Sequence, residues 1–243
     1  MGDSNKVSMR SEYDNEEYIR KNPTWHAERS PWKAGLAANI LKKNDIQPKS
    51  ICDVGCGTGL ALALIANEFS DSIAVGFEPS PDAPLHEDAK NRITRKSIPI
   101  SEVPEDEVYD VSVMLDVFEH VEDCFGFLRE CRRLAPLHVF HIPLDATVAH
   151  LFHSGLIGTR RAAGHLHYFT PETAIETLKD SGYEIVDKQF TKMGWEGPER
   201  SPNSPFNLIR RAMFAVAPRL EQRLLGGLSL LVLAKSGSES DAA

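Results

Sequence analysis

Ser50-Ile-Cys-Asp-Val-Gly-Cys-Gly-Thr-Gly-Leu-Ala-Leu-Ala-Leu64 decides how the rest of this chain is read. Ile51, Cys52 and Val54 form a short apolar run suited to a buried strand, and three alternating glycines, Gly55, Gly57 and Gly59, then break it. Glycine permits a sharp turn and lets a ligand approach the backbone where a Cβ would collide. The run Leu60 to Ala66 then starts a helix whose first N–H groups face the same turn. A dinucleotide-binding turn needs Gly-x-Gly-x-x-Gly, with the pyrophosphate at the helix N-terminus. Here the third glycine comes one residue early and Leu60 fills its place. The Gly-Lys-Ser/Thr ending of a phosphate-cradling loop is absent too. Asp53, at the end of the strand, would repel a pyrophosphate and suits a cationic amino-acid group. A tight strand-to-helix turn without a ligand is the plainer alternative.

The second strand is read at Ser72–Glu78, a buried run ending in a carboxylate, followed by Pro79. Two acceptor oxygens at a strand end can take both hydroxyls of a ribose, against the alternative of an exposed acid with no role. The prolines Pro79, Pro81 and Pro84 keep the next stretch irregular, and Ser97–Ile100 is the candidate third strand. Val111, Val113, Met114 and Leu115 give a central strand that delivers Asp116, Val117, Phe118, Glu119 and His120 to its carboxyl end. Open α/β sheets bind ligands outside those ends, which sets this segment beside Asp53 and Glu78. For Glu119 the plain reading is an acid favoured by a helix start, and for His120 a structural hydrogen-bonder.

Further along, Phe125–Leu134 reads as an amphipathic helix and Leu137–Pro143 as a fifth strand. Histidines 150, 153, 165 and 167 crowd the next stretch, but none pairs at a helical spacing with a carboxylate, so no metal site is expected. Thr170 caps a helix that Pro171 opens and Gly182 closes. Gly182–Phe190 and Leu228–Lys235 are the sixth and seventh strands. Residues 191–223 between them are an insertion too long for a plain hairpin. Its second part, Phe206–Leu220, reads as one helix mixing Ile209, Met213 and Phe214 with Arg210, Arg211 and Arg219. It is expected to serve as a packed cap, or through 206–223 as a peripheral membrane contact.

At the other end, residues 1–22 are expected mobile and then helical around Tyr13 to Ile19. Ser30 before Pro31 is a candidate N-cap for a helix Trp32–Lys43. This region covers a sheet face or forms a lid that brings Arg29 or Lys33 to a bound carboxylate. The net charge of −8 argues against broad nucleic-acid binding. Four cysteines without a Cys-x-x-Cys pair, no N-terminal apolar core and no run long enough for a bilayer fit reduced thiols in a cytoplasmic protein. Three segments follow: a helical lid or cover at 1–44, a domain at 45–235 with the 191–223 insertion, and a disordered tail at 236–243.

Asp53-x-Gly55-x-Gly57-x-Gly59 resembles the first motif of class I S-adenosylmethionine-dependent methyltransferases. Leu115–Val121 resembles the Asp-Val-Leu-Glu-His-Val signature of their small-molecule members, the quinone and sugar types. Gly164–Pro171 resembles the segment that precedes a late helix in the same group. The resemblance implies an α/β fold, a Rossmann-like seven-stranded mostly parallel sheet with helices on both faces and its last strand pair antiparallel. It implies S-adenosyl-L-methionine as cofactor, held by Lys33, Asp53, Gly55, Cys56, Gly57, Gly59, Glu78, Pro79, Asp116 and Val117. A sulfonium methyl has a neutral leaving group, so alignment is the main task, and only a hydroxyl or protonated amine also needs a base. His120, His165 and His167 are the candidates, since imidazole accepts a proton near neutral pH. The absence of an Asn/Asp-Pro-Pro-Tyr/Phe motif and the acidic charge point to a small-molecule acceptor and to oxygen: a sugar, a quinone-like or a lipid-linked precursor. A non-catalytic module that binds the cofactor and a nicotinamide-dependent dehydrogenase on a related fold are the rival readings.

Overall fold

In the computed structural model, which describes residues 24–196 and 204–237, Ser50–Val54 (β1) lies inside a sheet. Four of its five residues are buried, as an apolar run flanked on both faces requires. It pairs in parallel with β2 (Ile73–Phe77) on one side and β4 (Val111–Leu115) on the other. Adding β3 (Thr94–Lys96), β5 (Leu137–Pro143), β6 (Tyr183–Thr191) and β7 (Ser229–Ser236) gives seven strands in the order β3-β2-β1-β4-β5-β7-β6. The first five are parallel, and β7 runs antiparallel to both β5 and β6. The expected mostly parallel sheet with an antiparallel last pair is therefore present.

Alternation along the strands sorts side chains into two cores. Ile51, Val113, Val139, Leu231 and Leu233 face the helices α1 (Ser30–Lys43) and α2 (Leu60–Glu68). Cys52, Val54, Met114, Phe140 and Val232 face the opposite side, where α3 (Cys124–Cys131) and α6 (Pro171–Asp180) pack. Each fully buried residue of this size contributes about 1.5–3 kcal/mol of transfer free energy. All four cysteines are buried and free.

Chain direction places the later helices. β5 ends at Pro143 and leads into α4 (Val148–Phe152) and α5 (Gly155–Ala163). β6 ends at Thr191, level with Ser229 of β7, which in turn pairs with Pro143. Hence α7 (Met193–Glu196), α8 (Pro205–Val216) and α9 (Pro218–Leu224) leave the same edge, beyond the carboxyl ends of the parallel strands.

Several expectations are corrected. The third strand is Thr94–Lys96, just before the expected Ser97–Ile100, and the last residue of that expected stretch opens a single 3-10 turn, Ile100–Glu102. Pro99 cannot donate to a ladder, which leaves the pairing to the polar residues before it. Ser30 is the first residue of α1 and not its cap; Arg29 holds that position without a side-chain hydrogen bond. The single helix expected over Phe206–Leu220 is two, broken at Ala217 because Pro218 removes a helical donor. β7 includes Ser236, so the strand reaches into the expected tail. The helix expected around Tyr13 to Ile19 and the tail residues 238–243 lie outside the described residues.

Candidate functional site

The three alternating glycines adopt positive φ, +73° at Gly55, +52° at Gly57 and +74° at Gly59. Only glycine takes that conformation without strain, which explains their spacing. The N–H groups of Gly55 and Cys56 both donate to the Phe77 carbonyl, at 2.8 and 3.1 Å, locking the turn to the end of β2. The Cys56 side chain turns inward against Gly76, so it offers the crevice no thiol. A Cβ on Gly55 would touch the Val117 methyls at 3.0 Å, whereas one on Gly57 would meet nothing within 4 Å. Val117 thus walls the turn on one side, and Gly57 is the point of open approach.

Two acids face that opening. Glu78 is buried, with one carboxylate oxygen accepting from Gly57 N–H and the other from Ser80 N–H, both at 2.9 Å. Through these two bonds the carboxylate braces the glycine turn against the end of β2. Pro79 beside it is exposed. Asp53 is 2% exposed, and its Oδ1 has no hydrogen-bond partner among the described residues. Burial first and the neighbouring Glu78 second push its pKa up to about 8, with Lys33 opposing. An orphaned buried carboxylate beside an open glycine cradle suits a cation that also donates hydrogen bonds, as an amino-acid ammonium does.

Lys33 reaches from α1 into this crevice and pairs with Asp116 Oδ2 at 2.7 Å. Asp116 sits at φ +62°, uncommon for a residue with a side chain. Its other oxygen contacts His141 Nδ1 at 2.5 Å, and His141 Nε2 contacts Thr191 Oγ1 at 2.9 Å. Burial alone would raise the Asp116 pKa, but Lys33 and His141 outweigh it and hold the group well below the usual range. The ring of Trp32 meets His141 edge-on at 5.6 Å. A polar chain from α1 through β4 and β5 to β6 therefore fixes the end of the central strand.

A second polar cluster is built from two segments distant in sequence. The Glu119 carbonyl accepts from Leu166 N–H at 2.8 Å and His167 N–H at 3.0 Å, which straps residues 165–167 over the end of β4. His165 Nδ1 then contacts Asp145 Oδ2 at 2.6 Å and its ring meets that of His120 edge-on at 4.7 Å. Burial opposes a charge on His165, yet the Asp145 bond and the nearby Glu119 more than compensate and raise its pKa. His120 goes the other way: burial and the adjacent His165 lower it to about 3, so its ring is neutral. Glu119 is fully buried, its pKa pushed to about 8 by burial and then by Asp116. His167 Nε2 contacts the Val121 carbonyl at 2.8 Å and so acts as a donor in the strap. Of the three expected bases, only His165 has both a carboxylate partner and a raised pKa.

Ligand atoms of Glu119, His120 and His165 all lie within 4.8 Å of one another, a set able to hold a proton or to surround a cation. The sequence did not show this trio, because His165 comes from a segment beyond β5 and the contact depends on the strap. Asp145, His141 and Thr191 were also missed as functional neighbours. A sequence signal existed for His141: a histidine in the apolar strand Leu137–Pro143 must find a buried partner.

Residues 24–188 match a family described as a methyltransferase domain. A ubiquinone biosynthesis O-methyltransferase of Acinetobacter baylyi is 29% identical over 178 residues, 64% of this chain and 74% of the relative. The corresponding protein of Rickettsia bellii is 28% identical over 156 residues, and the match spans 65% of its length. Among solved structures, magnesium protoporphyrin IX methyltransferase from Synechocystis PCC 6803, with S-adenosylhomocysteine bound, is 14% identical with a TM-score of 0.61; the match covers 93% of this chain and 97% of that one. A putative methyltransferase of Haloferax volcanii, in complex with an activator, gives 0.64 at 14% identity, over 95% of this chain and all of that one. At these identities the structural likeness is one of fold.

Proposed function

The chain belongs to the methyltransferase-domain family and is an S-adenosylmethionine-dependent methyltransferase, and from that premise we propose that it methylates a hydroxyl oxygen on a small-molecule acceptor, with His165 as general base. The observation that carries the base assignment is the His165–Asp145 contact beside buried Glu119. The O-methyltransferase names of the relatives support oxygen, and a hydroxylated quinone-like ring is the first acceptor to try, ahead of sugar or lipid-linked hydroxyls.

S-adenosylmethionine supplies a methyl group on a sulfonium sulfur that departs as a neutral thioether. Asp53 would hold its ammonium, Glu78 its ribose hydroxyls, and Gly57 leaves the space for its close approach. Val117 and Gly55 shape the wall, and Pro79 borders the ribose side. Lys33, anchored on Asp116, makes α1 a lid that places a positive charge toward the carboxylate. On the acceptor side, Asp145 fixes His165 with Nδ1 committed, so that Nε2 is the nitrogen that takes the hydroxyl proton. The resulting imidazolium is stabilised by Asp145, whose carboxylate is bonded to the ring. His120 stays neutral and serves to orient, and His167 holds the strap. No metal is needed for this proton transfer.

The test is S-adenosylhomocysteine formation, followed by mass spectrometry, across a panel of hydroxylated quinone precursors, sugars and lipid-linked phenols, before and after dialysis against a chelator. The expected result is an O-methylated product at a rate that chelation leaves unchanged. Cofactor binding without turnover on any acceptor would instead identify a binding module. Loss of turnover restored by a divalent cation would assign Glu119, His120 and His165 to a metal.

A further inference from the structure

The helices beyond the carboxyl ends of the sheet bury little of their own. Neither α4 nor α5 has a single buried residue, and they expose Leu151, Ile157 and Phe152, the last 81% accessible. On α8 the apolar residues Leu208, Ile209 and Val216 recur at helical spacing on the outward face, with Val216 87% accessible. The two pairs are neighbours, since α9 packs against α4 and Thr147 closes on Gly226. Both pairs thus expose apolar side chains beyond the end of the sheet from which the acceptor residues project.

Charge says what covers that face. The chain as a whole carries −8, yet residues 148–163 contain two arginines and no acid. Residues 205–225 contain four arginines and one acid, Glu221, which is buried. Arg210 turns inward, its guanidinium over the Phe206 ring at 4.5 Å, and Arg223 pairs with Glu172. Arg160, Arg161, Arg211 and Arg219 are exposed. An apolar helical face rimmed by arginines in an otherwise acidic protein matches a surface that is negative at its headgroups and apolar beneath. Among the described residues no helix is long and apolar enough to cross a membrane, so such contact lies in the interface.

We infer that α4, α5, α8 and α9 form a single docking face for an anionic lipid bilayer, which sets the acceptor side of the crevice against the membrane. This holds whichever hydroxyl is methylated, and its readout does not use methyl transfer. The experiment is co-sedimentation of the full chain with vesicles of phosphatidylcholine alone and of phosphatidylcholine mixed with phosphatidylglycerol. Binding is expected to the anionic vesicles, and to weaken as salt is raised. Removing Arg211 and Arg219 by alanine substitution should weaken partitioning about fivefold for each arginine. Leu208→Asp and, on the other helix pair, Phe152→Ser should each release the protein from vesicles while S-adenosylhomocysteine affinity stays unchanged, which verifies folding. Equal binding to neutral and anionic vesicles overturns the inference. So does self-association in analytical ultracentrifugation without vesicle binding, which would put a second copy on this face.

Discussion

Replacing Asp53 by Asn should abolish a proton linkage that the wild-type crevice builds into cofactor binding. In the free protein the buried Asp53 carboxyl is shifted to about 8, so at neutral pH it is mostly protonated. A bound ammonium favours the ionised form, so the complex carries fewer protons than its components and affinity must rise with pH. With a value of about 8, the ionised fraction is about 0.01 at pH 6 and about 0.09 at pH 7, and apparent affinity scales with that fraction. S-adenosylhomocysteine should therefore bind about ninefold more tightly at pH 7 than at pH 6, a difference of about 1.3 kcal/mol. Titration calorimetry in buffers of different ionisation enthalpy reads the same event directly, as release of about 0.9 proton per site at pH 7. Asp53→Asn keeps the shape, and it should bind more weakly with a flat pH dependence over this range. A flat wild-type profile, or the same slope in Asp53→Asn, would refute the assignment of Asp53 to the ammonium.

The other expected outcomes follow from local geometry. His165→Asn should lower kcat by about 10²–10⁴ with little change in S-adenosylhomocysteine affinity. In the wild type, kcat should rise with pH through the raised His165 value, because only the neutral ring accepts a proton; Asp145→Asn should move that inflexion to lower pH, and an unmoved inflexion would count against the dyad. Gly76→Ala puts a Cβ 2.5 Å from Cys56 Sγ and should cost about 1–3 kcal/mol in urea unfolding. The cost should shrink in a Cys56→Ala background, which removes the Sγ contact and leaves the Cβ contact at 2.9 Å, and an equal cost there would point to another cause.

The elements legible in the sequence were those whose signal is local. Gly55, Gly57 and Gly59 announce a left-handed turn because few other residues tolerate it, and the strands around it are short apolar runs bounded by breakers. Thr170 and Pro171 marked a helix start that the structure confirms through a Thr170–Thr173 capping box. The polar edge strand Thr94–Lys96 was not legible, since its identity comes from pairing with β2 and not from apolar alternation. The break before Pro218 has a local cause, a residue that cannot donate within a helix. Nothing local predicts that His165 meets Asp145, or that His141 meets Asp116, because both contacts join separate segments through the folded sheet. The orphaned oxygen of Asp53 and the opposite shifts of His120 and His165 are likewise products of burial, which a spacing rule does not contain.

The reversal of β7 has a consequence for how such a scaffold can diverge. Because β6 and β7 are antiparallel and adjacent, the segment joining Thr191 to Ser229 begins and ends at the same point on the sheet. Lengthening that connection leaves every strand register intact. Closing a loop of several tens of residues instead of a minimal turn costs only about 2 kcal/mol in chain entropy. A parallel crossover offers no such freedom, as its connection must return the full length of a strand. The cofactor half, from β1 through β4, is thereby insulated from changes at the other edge. Grafting the 192–228 segment between related scaffolds becomes a route to new acceptors that leaves the glycine turn untouched.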